Sequence, residues 1–103
     1  MKDSSRIASV TGEKQLYILK LYIAGGEQHS RLARENLKSI CEEYLKDRCQ
    51  IEEIDVLADF ASALKNKIFI TPALLLESPE PRVMVVGNLS DREKVVSALR
   101  LRI

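Results

Sequence analysis

The run Leu16-Tyr17-Ile18-Leu19-Lys20-Leu21-Tyr22-Ile23 (LYILKLYI) is apolar on both of its alternating faces, broken only by Lys20. It is rich in β-branched and aromatic residues. Such a run predicts a strand covered on both sides, in the middle of a sheet. Residues 1–14 (MKDSSRIASVTGEK) are polar with isolated apolar residues and no period, which reads as a flexible arm ahead of one domain spanning 15–103.

Downstream, Ala24-Gly25-Gly26 ends the strand and Ser30 is placed to cap a helix through its hydroxyl. Leu32, Ala33, Leu37, Ile40, Cys41, Tyr44 and Leu45 then recur at helical spacing. The other side of that helix carries charges of alternating sign, the pattern of a solvated face rather than a nucleic-acid patch. Ile51–Leu57 (IEEIDVL) reads as a second strand, and Asp59 caps a short helix to Asn66 with Phe60, Ala63 and Leu64 inward. Ile68-Phe69-Ile70-Thr71-Pro72 leads into Ala73–Glu77 (ALLLE), then a stiff Ser78-Pro79-Glu80-Pro81 turn and a strand over Arg82–Val86. Gly87-Asn88 breaks that strand. Ser90-Asp91-Arg92-Glu93 has the form of a capping box opening a last helix, whose apolar stripe is Val95, Val96, Leu99 and Ile103.

The order is β-α-β-α-β-β-α. Strands joined through a helix pair as a right-handed parallel unit, and the last two strands form an antiparallel hairpin. A mixed four-stranded sheet with helices on both faces is the thioredoxin-like architecture. Thr71-Pro72 at the start of the third strand agrees with it, because that fold places a cis-proline there and a proline cannot donate to the ladder. One segment conflicts with its assignment: Ala73–Glu77 has to be a strand, yet alanine, leucine and glutamate are good helix formers. Burial inside a sheet overrides such a preference, and a segment able to adopt two structures shows the same conflict.

Composition narrows the function. The chain has 103 residues, one domain's worth, with 16 Lys and Arg against 15 Asp and Glu. That near-neutral balance removes the electrostatic argument for nucleic-acid binding. No apolar run approaches the roughly 20 residues that span a bilayer. The N-terminus lacks the apolar region of a secretory signal, so the chain is expected in the cytoplasm. Cys41 and Cys49, with no CxxC, read as free thiols in a reducing compartment. Cys41 falls on the apolar stripe as a small buried hydrophobe. His29, the single histidine, cannot complete a zinc site with them. There is no GxxxxGK[ST], GxGxxG or GxSxG. No metal, cofactor or catalytic residue is expected.

Four stretches then resemble the KaiB family of circadian clock proteins: Leu19-Lys20-Leu21-Tyr22-Ile23-Ala24-Gly25, Ile54-Asp55-Val56-Leu57, Ile70-Thr71-Pro72-Ala73-Leu74, and Val86-Gly87-Asn88-Leu89-Ser90-Asp91-Arg92-Glu93-Lys94-Val95. They keep the family's order and spacing over about residues 16–101, and the last is highly specific. The resemblance implies a non-enzymatic regulator that binds the ATPase ring of a KaiC-like partner, with KaiA and a histidine kinase carrying a KaiB-like sensor domain as further partners. It implies a self-associating ground state, dimer or tetramer, of order β-α-β-β-α-α-β, and a thioredoxin-like binding form reached by rearranging the second half, where Ala73–Glu77 lies. Two departures stand out. Gly25-Gly26-Glu27-Gln28-His29-Ser30 lacks the family's proline, and the acidic tail is replaced by Leu101-Arg102-Ile103. They suit a divergent copy acting in stress or redox signalling without an oscillator role; a sensor domain of a histidine kinase, which shares the family's fold, is a further alternative.

By the same resemblance Lys67, Arg82, Asn88 and Asp91 are the candidate partner-binding residues, and Gly87 and Pro72 the fold-switch hinge. Each has a plainer structural alternative. Lys67 and Arg82 read equally as solvated charges, Gly87 as a residue allowing positive φ after a strand, and Asp91 as a favourable charge at a helix N-terminus. Thiol oxidoreduction is the rival activity. It needs a stabilised thiolate at the start of the first helix, and Gly25–Ser30 holds no cysteine. Finally, Tyr17, Leu19, Leu21 and Ile23 on one face and Tyr22 on the other offer more apolar surface than a chain this short easily covers, which predicts self-association.

Overall fold

The computed structural model describes residues 15–101; the arm read over residues 1–14, and Ile103 of the last stripe, lie outside the described residues. The elements are β1 (Tyr17–Ile23), α1 (Gln28–Tyr44), β2 (Cys49–Asp55), α2 (Phe60–Lys65), β3 (Ala73–Ser78), β4 (Val83–Val86) and α3 (Arg92–Ala98). They make one sheet of order β2-β1-β3-β4. β1 runs parallel to β2 and antiparallel to β3, which pairs antiparallel with β4. This is the thioredoxin-like α/β fold.

β1 takes the central place because both of its faces are apolar. Leu19, Leu21 and Ile23 enter a large core closed by α1 and α3, through Ala33, Leu37, Ile40, Val95 and Leu99. Tyr22 points the other way, into a smaller core with Ile54, Ala63, Ile68, Ala73 and Leu75 beneath α2. Each fully buried leucine-sized side chain contributes about 1.5–3 kcal/mol relative to exposure. The apolar faces of β1 are therefore covered within the chain, and the argument for self-association from Tyr17, Leu19, Leu21 and Ile23 does not stand.

The conflicted Ala73–Glu77 segment is a strand. It lies between β1 and β4 and is paired on both sides, with Leu74 and Leu76 in the large core and Ala73 and Leu75 in the small one. A helix here would forfeit both ladders and one of the two buried faces, which outweighs a few tenths of a kcal/mol per residue of propensity.

Several boundaries move from the positions that local sequence predicts, each for a local reason. Glu27, not Ser30, caps α1: its carboxylate accepts the Ser30 N–H at 3.0 Å. Ser30 lies inside the first turn, fully buried, and its Oγ accepts the Ala24 N–H at 3.2 Å. β2 begins at Cys49 rather than Ile51 and stops at Asp55. There the Asp55 carboxylate accepts the N–H groups of Gly25 (3.1 Å) and Leu57 (2.9 Å), and the chain turns. β4 begins at Val83, one residue after Arg82. Asp59 caps α2 as expected, but only Ala63 of that helix is buried; Phe60 and Leu64 are exposed.

The last helix is capped by Asp91, whose Oδ1 accepts the Lys94 N–H at 3.2 Å. Ser90 falls outside it because Leu89 takes a left-handed φ of 66° and the Ser90 N–H is held by Asn88 Oδ1 at 3.0 Å. Asp91→Ala should therefore lower stability by about 1 kcal/mol, while Ser90→Ala stays within about 0.5 kcal/mol of the parent. Urea denaturation of the two variants checks this, and the reverse order would restore Ser90 as the cap.

Candidate functional site

The expected contact residues lie along one edge of the sheet and fall into two groups at its ends. At one end, Asn66 closes α2 as its C-cap and Lys67 follows with a left-handed φ of 59°, its side chain exposed. Arg82, just ahead of β4, reaches across to this corner. Its Nη2 donates to Asn66 Oδ1 at 3.0 Å and pairs with the Glu77 carboxylate at 3.2 Å. Asn66 Nδ2 in turn donates to Tyr22 Oη at 2.8 Å. A hydrogen-bonded path thus runs from the buried Tyr22 of the central strand to the exposed guanidinium of Arg82. Lys67 and Arg82 line the same open cleft, about 370 Å³, over the apolar pair Leu75 and Met84. Lys20 and Lys65 add positive charge to the adjoining cleft that Arg82 shares.

At the other end lie Pro72, Gly87, Asn88 and Asp91. The Thr71-Pro72 bond is cis, as the fold predicts. The Gly87 N–H donates to the Pro72 carbonyl at 2.8 Å, so the two expected hinge residues are bonded to each other across the β3–β4 hairpin. Gly87 has φ +117°, a conformation that side chains disfavour, and a Cβ there would meet nothing within 4 Å. The Asn88 carbonyl accepts from Asn36 Nδ2 of α1 at 2.8 Å, which ties this turn to the main helix. The Asn88 and Asp91 side chains both hold backbone amides, those of Ser90 and Lys94. These two residues therefore carry structural duties. Arg82 and Asn88 are the flanks of β4, roughly 20 Å apart at about 3.3 Å per residue, so the candidate residues form an edge rather than a pocket.

The feature that the sequence hid is apolar. Phe69 and Ile70, in the connection before Pro72, are 78% and 62% exposed. Met84 and Val86 of β4, and Leu57, Phe60 and Leu64 around α2, are exposed as well. Local reading had Phe60 and Leu64 inward, because helical spacing shows that a face is apolar and not whether anything lies over it. The only signal for Phe69 and Ile70 was an apolar run outside any regular element. Among the described residues β4 is also the last strand on its side of the sheet.

At the start of α1, where thiol chemistry would need a cysteine, Ser30 has its hydroxyl committed to the Ala24 N–H. Among the described residues no group of three or more His, Cys, Asp or Glu could hold a metal ion. No described helix is long and apolar enough to cross a membrane.

The model of the KaiB domain matches residues 20–101. The circadian clock oscillator protein KaiB of Microcystis aeruginosa is 42% identical over 88 residues, 85% of each chain. The circadian clock protein KaiB3 of Synechocystis is 39% identical over 82 residues, 80% of each chain. Among solved structures, the N-terminal domain of Synechococcus elongatus SasA superposes with a TM-score of 0.73 at 18% identity, covering 97% of this chain and 92% of that one. Mitochondrial thioredoxin 3 of Saccharomyces cerevisiae gives 0.67 at 11% identity, covering 84% and 80%. At such identities these two show the fold alone.

The geometry at Gly87 gives a direct test. Gly87→Ala should destabilise the chain by about 1–3 kcal/mol through backbone strain. Because the added methyl would meet open space, a larger side chain should cost about the same as alanine. Chemical denaturation of alanine and leucine variants checks this; a steep rise with side-chain size would place the cost in packing instead.

Proposed function

The chain belongs to the KaiB family, and on that premise we propose that it is a non-enzymatic, clock-type regulator that binds a KaiC-like ATPase ring and modulates its phosphorylation and output signalling. The observation that carries this reading is the β4 edge. There Met84 lines one cleft with Lys67 and Arg82, and Val86 of the same strand is exposed, as are Phe69 and Ile70 of the connection between Lys67 and Pro72. Apolar anchors bordered by charge are the chemistry of a protein interface. Lys67 and Arg82 act as its charged contacts. Asn88 and Asp91 shape the far end of the surface and contact the partner from there, with Gly87 and Pro72 as the hinge. KaiA and a histidine kinase with a KaiB-like sensor domain are further partners of the bound form, and the protein works in the cytoplasm.

The test is retention of the chain on an immobilised, nucleotide-loaded KaiC-type ring. Lys67→Glu combined with Arg82→Glu should weaken binding at least ~10-fold, about 1.4 kcal/mol, with circular dichroism confirming that the variant stays folded after losing the Arg82 contacts to Asn66 and Glu77. Lys46→Glu, on the far side of the sheet, should leave it unchanged. No retention of the parent chain, or equal loss in the Lys46 control, overturns the proposal.

The same premise carries a second state. Beside the thioredoxin-like form we place a self-associating one, dimer or tetramer, reached by rearranging the second half about Gly87 and Pro72. A form present at about 1% needs roughly 5.5 kcal/mol of differential stabilisation to reach 99%. Sedimentation across a dilution series, followed by NMR at each end, should show oligomer and monomer with different secondary structure after residue 57. A monomer at every concentration, with one set of resonances, removes the second state.

A further inference from the structure

The two cysteines, far apart in local reading, belong to elements that run in opposite directions along each other. Arg34 of α1 pairs with Glu53 of β2 at 2.7 Å, which fixes the alignment of helix and strand at one end. Cys41 lies seven residues further along α1, two turns on the same face and about 10.5 Å away. Cys49 lies four residues back along β2, on the same face of the strand as Glu53 and about 13 Å away. The antiparallel course therefore brings Cys41 and Cys49 to the same level. They line one cleft of about 450 Å³, together with Lys38, Lys46 and Ile51. Cys41 is buried in the large core, and Cys49 packs against that core while remaining partly exposed.

We propose that Cys41 and Cys49 form a dithiol site that a peroxide converts reversibly to an intramolecular disulfide. The partly exposed Cys49 reacts first: its thiolate attacks one peroxide oxygen, an S–O bond forms, the O–O bond breaks, and the departing hydroxide takes up a proton as water. The Cys41 sulfur then attacks the Cys49 sulfenic acid. The S–S bond forms, the S–O bond breaks, and the hydroxyl leaves as a second water with the Cys41 proton. Two thiols lose two electrons and two protons, and one peroxide is reduced to two waters.

The environments suit this division of labour. Burial, with the neighbouring Cys49 thiol adding to it, pushes the Cys41 pKa well above the ordinary thiol range, so Cys41 keeps its proton and is a poor first target. The connection between the two, with the Leu45 N–H bonded to the Cys41 carbonyl and the Arg48 N–H to that of Leu45, already folds the chain back on the end of α1. The site lies on the β2 edge, opposite β4, so oxidation there leaves the proposed docking residues uncovered.

The experiment treats the full reduced chain with hydrogen peroxide, then blocks remaining thiols and maps tryptic peptides; Lys46 and Arg48 give cleavage points between the cysteines. Both thiols should be lost together, a peptide pair linked through Cys41 and Cys49 should appear on monomeric chain, and dithiothreitol should restore both. Cys41→Ala should strand Cys49 as a sulfenic acid that dimedone traps. In Cys49→Ser, Cys41 should resist the same peroxide. The parent map stands even if a variant misfolds. Oxidised Cys49 beside free Cys41, disulfides only between chains, or no thiol loss in excess peroxide each overturn the proposal.

Discussion

Everything in this molecule is hung on the double pairing of β1. That strand bonds to β2 on one side and β3 on the other, and buries Leu19 and Leu21 on one face and Tyr22 on the opposite one. A strand so placed has no free edge and no free face, and its neighbours inherit their directions from it. β2 must come back parallel, which requires α1 as the crossover. β3 must run antiparallel, which leaves β4 as its hairpin partner and as an edge.

Two structural consequences follow from the edges this arrangement leaves. Met84 of the β4 edge lines one cleft with Lys65, Asn66 and Lys67 at the end of the short α2. Met84 and Val86 of β4 are exposed, as are Phe69 and Ile70 of the connection before β3. The β2 edge has the long α1 above it, and there the residues of helix and strand meet in register, Arg34 with Glu53 at one level and Cys41 near Cys49 at the other. One side of the sheet carries exposed apolar residues and the other the two cysteines, separated by two central strands.

The path Tyr22–Asn66–Arg82 links the interior to the β4 edge. A buried phenol needs a hydrogen-bond partner, and Asn66 supplies it while also ending α2. The same amide group positions Arg82, so the placement of a surface charge depends on a polar contact made in the small core. The turn at the opposite end is held similarly, by Asn36 on Asn88 and by Pro72 on Gly87.

What could be read from the sequence was what local chemistry controls. The two-sided apolar run of β1, the stripe of α1, the Asp59 cap, the turn at Gly87 and the element order were all legible, because alternation, helical period and turn residues express short-range sterics. So was the family, through the Val86–Val95 word. The Ser30 and Ser90 caps were misplaced because serine and a neighbouring acid offer equivalent oxygens, and the choice fell to the Ala24 amide and to Asn88. Only the tertiary structure decided that Phe60 and Leu64 face outward and that Cys41 meets Cys49. Each of these depends on what lies over or beside a residue from elsewhere in the chain, and burial is a property of two surfaces in contact that neither sequence segment carries alone.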